Sequence, residues 1–154
     1  MFSPGSNADY QDTVITNDGF WPDLNAGDFE RRRRVPAHMD KDTIAFAIAA
    51  AIGQTNITLE LVKAGHLANG YQKASEIPDL PSVLNQNLVE VAYCKAVFAL
   101  AKAELLPEYA TQQTKDAGDR VAESAVETKD SLLAESQQHI RTLQGKTRCG
   151  VDYL

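Results

Sequence analysis

Between residues 40 and 63, apolar and small positions recur at spacings of three and four: Ile44, Ile48, Ile52, Thr55, Leu59 and Val62. That period places one stripe along an α-helix, with Asp40 or Asp42 as N-cap and Gly65 or Gly70 as terminator. Ala45, Ala47, Ala49, Ala50 and Ala51 keep its middle slim, so another helix can approach closely. A second stripe of Leu84, Leu88, Val91, Cys94, Phe98, Ala101 and Leu105 predicts a helix after a loop at 77–81. Asp79 or Ser82 would cap it, and Pro107 would stop or kink it. Residues 108–115 are polar enough for a loop or for the exposed end of a bent helix. A third stripe of Val121, Ala125, Leu132, Ser136, Ile140 and Leu143 predicts a helix over about 117–144. Asp116, Asp119 and Glu123 lie at its positive end, His139 and Arg141 near its negative end, and Gly145 follows as the cap glycine.

The chain before residue 40 is different. Residues 1–22 mix Pro4, Gly5, Gly19 and Pro22 with Ser, Asn, Asp and Thr, and Val14-Ile15 is the one short apolar pair. This predicts an irregular arm. Asp23 or Asn25 can cap a short helix over 26–34, which ends before Pro36 because the residue preceding a proline disfavours helical dihedrals. The expected fold is therefore all-α: an elongated bundle of three long helices plus a short N-terminal one. An arm (1–22) and a tail (146–154) flank a helical body (23–145). Long helices of roughly 23–28 residues reach about 35–42 Å, and their narrow alanine-rich stripes suit packing both within the subunit and against neighbouring copies. No internal repeat is evident.

Charge sharpens this picture. The net charge is −6, and residues 1–30 hold six acids (Asp9, Asp12, Asp18, Asp23, Asp28, Glu30) without a single Lys or Arg, so the acidity belongs to the arm. Phe2, Tyr10, Phe20, Trp21 and Phe29 lie in the same stretch, more aromatic surface than a solvating tail carries, and a partner surface is their natural destination. An acidic chain is poorly suited to free nucleic-acid binding, which draws its affinity from neutralising phosphates. The apolar run near Ile44 is broken by Gly53, Gln54 and Asn56, short of the roughly 20 residues a membrane span needs. No secretory signal opens the chain and its two cysteines form no disulfide framework, so synthesis in a reducing cytoplasm is expected.

Catalytic and metal constellations are not found. The three histidines are His38, His66 and His139, and Glu135 to His139 has the wrong spacing for a di-iron Glu-x-x-His pair. Gly145-Lys146-Thr147 resembles the end of a phosphate loop, but Ile140 stands where the first glycine belongs. Cys94 reads as a buried hydrophobe, and Cys149 beside Arg148 has no triad spacing around it. No cofactor and no enzymatic activity are expected.

Two other segments stand out. Arg31, Arg32, Arg33 and Arg34 are a conspicuous basic run; on a helix they point about 100° apart and make no single patch. They read as a solvated helix end pairing with acids of this or a neighbouring subunit, as phosphate contacts, or as a dock for an acidic protein surface. Phe20-Trp21-Pro22-Asp23 reads either as a hydrophobic staple with its cap or as an interface anchor.

The ordered set of features resembles the head completion protein (GPL) family of contractile-tailed phages. The matching pieces are Gly19-Phe20-Trp21-Pro22-Asp23 before the arginine-rich helix, residues 91–97, residues 116–124, Ile140-Arg141, and the terminal Lys146-Thr147-Arg148-Cys149-Gly150-Val151. The family commonly has proline at the position of Thr147 and a more basic stretch at Gly118-Asp119-Arg120. The resemblance implies a non-enzymatic virion protein of the head–tail junction. It would attach below the portal after DNA packaging, as a ring matching the portal's symmetry with twelve copies expected. It would retain the genome, let DNA pass without sequence-specific binding, and present a platform for the tail terminator or another neck protein. Docking would fall to Phe20, Trp21, Pro22, Asp23 and to the Arg148-Cys149 tail, with Arg31, Arg32, Arg33 and Arg34 in inter-subunit or portal salt bridges. The competing expectation is a small cytoplasmic scaffolding or regulatory bundle that binds one partner through its aromatic, acidic arm.

Overall fold

The computed structural model describes residues 9–36, 38–116 and 127–146. Among them lie five helices and one small antiparallel sheet, so the fold is mostly helical and not purely all-α. Strand β1 (Val14–Ile15) pairs with β2 (Leu24–Asn25), with Val14 opposite Asn25 and Ile15 opposite Leu24. The arm expected to be irregular over 1–22 is thus bound to the body where it is described. Gly27 makes this possible: a Cβ there would sit 1.9 Å from the Gln11 carbonyl oxygen, so only glycine admits the arm.

Helix α1 (Ala26–Arg32) is capped by Asn25, whose side-chain oxygen accepts from the Gly27 and Asp28 amides at 2.7 and 3.4 Å. It ends two residues earlier than the sequence suggests, as Arg34 takes φ +54° ahead of Pro36. The helix expected over 40–63 is two helices, α2 (Lys41–Thr58) and α3 (Glu60–Ala68), bent by 62° at Leu59. Leu59 is fully buried there, and the Thr58 hydroxyl donates to the Gln54 carbonyl at 3.1 Å, the kind of back-bond that bends helices. No single described helix is long and apolar enough to cross a membrane.

A one-turn 3₁₀ segment (Ala74–Glu76) and an irregular loop lead to α4 (Leu88–Asp116). Neither Asp79 nor Ser82 caps α4. Asn87 does, its side-chain oxygen accepting from the Glu90 amide at 2.9 Å while Glu90 accepts from the Asn87 amide at 3.2 Å. Leu84 therefore lies in the loop and not on the helical stripe. Pro107 does not stop α4, which runs 29 residues, about 43 Å at helical rise. Helix α5 (Lys129–Leu143) begins at a Thr128–Ser131 capping box, which breaks the helix expected over 117–144. Val121, Ala125, Asp119 and Glu123 lie outside the described residues.

Helix α4 forms the centre, flanked by α2 and α5. Its small buried residues, Ala96, Ala99, Ala101 and Ala103, bring the neighbours close, and the Ser136 hydroxyl of α5 donates to the Ala96 carbonyl at 2.8 Å. Phe29 of α1 meets Phe98 edge-to-face at 5.3 Å, closing the core under the first helix.

Candidate protein-interaction surfaces

The Phe20-Trp21-Pro22-Asp23 segment is built into the body. The Asp18 carboxylate accepts from the Phe20 and Trp21 amides at 3.0 and 2.9 Å and pairs with Lys63 at 3.0 Å, tying the turn to α3. Burial opposes the Asp18 charge, but the Trp21 amide, the Lys63 ammonium and the Phe20 amide outweigh it and hold the carboxyl below its usual range. Trp21 stacks flat on Tyr93 of α4 at 4.7 Å, and Phe20 meets Trp21 edge-on at 4.9 Å. The Tyr93 hydroxyl accepts from Asn17 at 2.9 Å and donates to Asn56 at 2.6 Å, and Asn56 donates to Asn17 at 2.9 Å. Burial pushes the Tyr93 phenol well above its ordinary pKa. The Trp21 indole N–H has no acceptor among the described residues, so packing alone holds the ring.

Phe20 and Trp21 are therefore core residues, 4% and 2% exposed, and their rings offer no surface to a partner. This is a correction to the anchor expectation, and its cause is the long α4, which places Tyr93 opposite the turn. Pro22 is half-buried, and Asp23 is exposed but accepts from the Asn17 amide at 2.7 Å. Asn25, not Asp23, is the helix cap.

The arginine run behaves differently from the helical-wheel expectation. Because α1 ends at Arg32, the last residues of the run turn with the loop, and Arg32, Arg33 and Arg34 line one groove of about 500 Å³ with Lys95 and Lys102. Val91, Cys94 and Phe98 also line it, together with Val83 and Leu84 of the loop before α4. Arg33 makes a two-pronged ion pair with Glu135 of α5, and Lys102 bonds the Arg33 carbonyl at 2.8 Å and Glu127 at 2.5 Å. Arg31 turns away and pairs with Asp28 at 2.6 Å. Arg32 reaches the Cys94 sulfur at 3.8 Å. Arg34 is exposed and has no partner among the described residues.

Burial pushes the Cys94 thiol up to about 11, with Arg32 pulling the other way. It is a packing residue and not a nucleophile. Among the described residues no three His, Cys, Asp or Glu side chains are placed to hold a metal ion. Arg148 and Cys149 lie outside the described residues.

One surface escaped the sequence reading. The buried residues of α2 are Ile44, Ile48, Ala51, Ile52 and Thr55, yet Phe46 and Ile57 on its opposite face, and Leu61 on α3, are 74%, 77% and 86% exposed. The signal was present, since residues 43–59 contain no charge at all. A helix apolar on both faces needs cover on both. Gly53 lies on the exposed face with nothing within 4 Å of where a Cβ would be, although a mid-helix glycine destabilises by about 0.5–1 kcal/mol relative to alanine.

Comparison with known proteins places these surfaces in context. The family model described as "Phage head completion protein (GPL)" matches residues 15–154. A "Probable head completion/stabilization protein" of Haemophilus phage HP1 is 38% identical over 151 residues, covering 98% of this chain and 98% of that protein. The "Head completion/stabilization protein" of Escherichia phage P2 is 26% identical over 141 residues, covering 92% of this chain and 83% of the relative. No solved structure matches.

Proposed function

The chain belongs to the phage head completion protein (GPL) family, and from that premise we propose that it forms a ring of copies, twelve in number, beneath the portal. It is a structural component of the phage particle that completes and stabilises the head. In this reading it is made in the host cytoplasm, joins after packaging at the head–tail junction, retains the DNA, and offers its far side to the tail terminator or another neck protein. DNA crosses the ring without sequence-specific contacts, in keeping with a net charge of −6. The near full-length match to the HP1 protein carries the proposal.

Docking roles follow from the surfaces. The groove of Arg32, Arg33 and Arg34 suits a carboxylate-bearing segment of a neighbour, and the Arg148-Cys149 tail makes the contact between layers. Asp23 and Pro22 stand at the rim of the arm turn, while Phe20 and Trp21 act by holding that turn rigid. The scaffolding-bundle alternative relies on aromatic anchors on the arm; the burial of Phe20 and Trp21 withdraws two of them, while Tyr10 is exposed.

The test is quantitative mass spectrometry with cross-linking on purified virus particles. Near-equal copy numbers of this chain and the portal protein, with cross-links between them, are expected. Absence of the chain from intact particles would overturn the assignment. Deleting residues 146–154 should give heads that lose DNA or reject tails; unaffected heads would remove the tail from the docking scheme.

A further inference from the structure

Two exposed apolar features lie in different parts of the fold. The first is the stripe Asp42, Phe46, Ala50, Gly53, Ile57 on α2, continued by Leu61 on α3, each exposed and spaced by three or four residues. It begins with a carboxylate that forms no ion pair among the described residues. Between the large Phe46 and Ile57 the small Ala50 and Gly53 leave a saddle, and the space over Gly53 is open.

The second feature is the loop before α4. Val83 and Gln86 exchange both backbone hydrogen bonds at 2.9 Å, and Leu84 and Asn85 between them take φ of +51° and +61°. Such a tight turn favours Asn or Gly at both central positions, and a leucine with positive φ is a strained choice. Its side chain buries little within the subunit: Leu84 is 76% and Leu80 80% exposed. Beside this knob, lining the same groove, stands Arg34, which has no partner among the described residues.

We infer that these two surfaces are the two sides of one contact between successive copies of this chain. The knob of Leu80, Val83 and Leu84 seats in the saddle over Gly53 on the next copy, and Arg34 meets Asp42 at the stripe's acidic end. Three complementarities select a second copy as the occupant. Apolar meets apolar, a protruding turn meets a stretch of small side chains, and a guanidinium meets a carboxylate, each unpaired among the described residues. The glycine that weakens α2 and the leucine that strains the turn both acquire a purpose in the same contact. Because the two surfaces differ, the contact is head-to-tail, the kind that closes a ring when the rotation per copy permits. The inference rests on the ring reading above and adds which faces meet.

The experiment is disulfide trapping in assembled particles. Ile57→Cys and Leu84→Cys are introduced together in a Cys149→Ser background, so that a native thiol cannot stand in for either partner while Cys94 stays buried. Each single variant serves as control and Phe46→Cys with Leu84→Cys as a second pair; all three positions are exposed, so the fold is undisturbed. Mild oxidation should give a ladder of covalent dimers and higher multiples in a double variant and no ladder in either single one. Dimers from Ile57→Cys alone would mean that stripes pair with stripes, and would overturn the head-to-tail contact. Amine-reactive reagents linking copies to one another while neither double variant gives a ladder would overturn this contact and leave the ring standing. No copy-to-copy links by either chemistry would overturn both.

Discussion

Replacing Tyr93 by phenylalanine removes one oxygen and leaves the stack on Trp21 in place, so it isolates the hydrogen-bond triangle that holds the arm turn. Two bonds disappear, from Asn17 at 2.9 Å and to Asn56 at 2.6 Å. Asn17 keeps the Pro22 carbonyl for its amide at 2.9 Å, so its loss falls near the lower end of the usual range. The Asn56 oxygen is left without its donor in a partly buried site, which falls nearer the upper end. With neutral hydrogen bonds contributing about 0.5–1.5 kcal/mol each, the expected loss is about 2 kcal/mol, near thirty-fold in the unfolding constant. The chain has a single tryptophan, stacked on the altered ring, so Trp21 fluorescence during urea unfolding reports the transition directly. Amide exchange should also quicken in residues 14–22 before it does in α4, because the triangle joins the arm to the bundle without being part of the central packing. A loss below about 0.5 kcal/mol, with arm protection unchanged, would show that water replaces the hydroxyl and that packing alone fixes the turn.

Acid should weaken the fold through two paired carboxylates. Arg33 overcomes the cost of burial to hold the Glu135 carboxyl below its ordinary 4.5, and Asp18 is likewise held below 3.8. A carboxyl depressed in the folded state contributes stability that is present above its unfolded value and lost as pH falls through the folded one. Thermal unfolding should therefore be insensitive to these groups above about pH 5 and decline below it, and Glu135→Gln should flatten part of that decline; an unchanged slope would refute the pairing. Gly53→Ala should stabilise the isolated chain by about 0.5–1 kcal/mol in urea unfolding while reducing its incorporation into particles, the reverse of what a purely intramolecular role allows. Gly27→Ala should release the arm, with a methyl forced against the Gln11 carbonyl, and protease cleavage within residues 9–22 is the readout. The peptide containing Cys94 should stay unlabelled by iodoacetamide at neutral pH until the chain unfolds, since the thiol is buried and its pKa raised to about 11.

Local signals carried much of this structure. The 3.6-residue period around Ile44, Ile48 and Ile52 and the alanine-rich helix through Cys94 and Phe98 were legible, and the cap of α1 was narrowed to Asp23 or Asn25, because each depends on residues within one or two turns of one another. The family was legible too, through short fragments whose order along the chain resembles that of the family. Four features were decided only when distant segments met. The arm became a strand because Gly27 leaves room for Gln11, and Phe20 and Trp21 became core because Tyr93, some seventy positions later, faces their turn. Three arginines converged because α1 gives way to a loop that runs beside α4 and α5. The outer face of α2 stayed bare because α4 covers only one side of it. Periodicity states which residues share a face; what lies against that face depends on contacts between residues far apart in the chain, and these only the tertiary structure supplies.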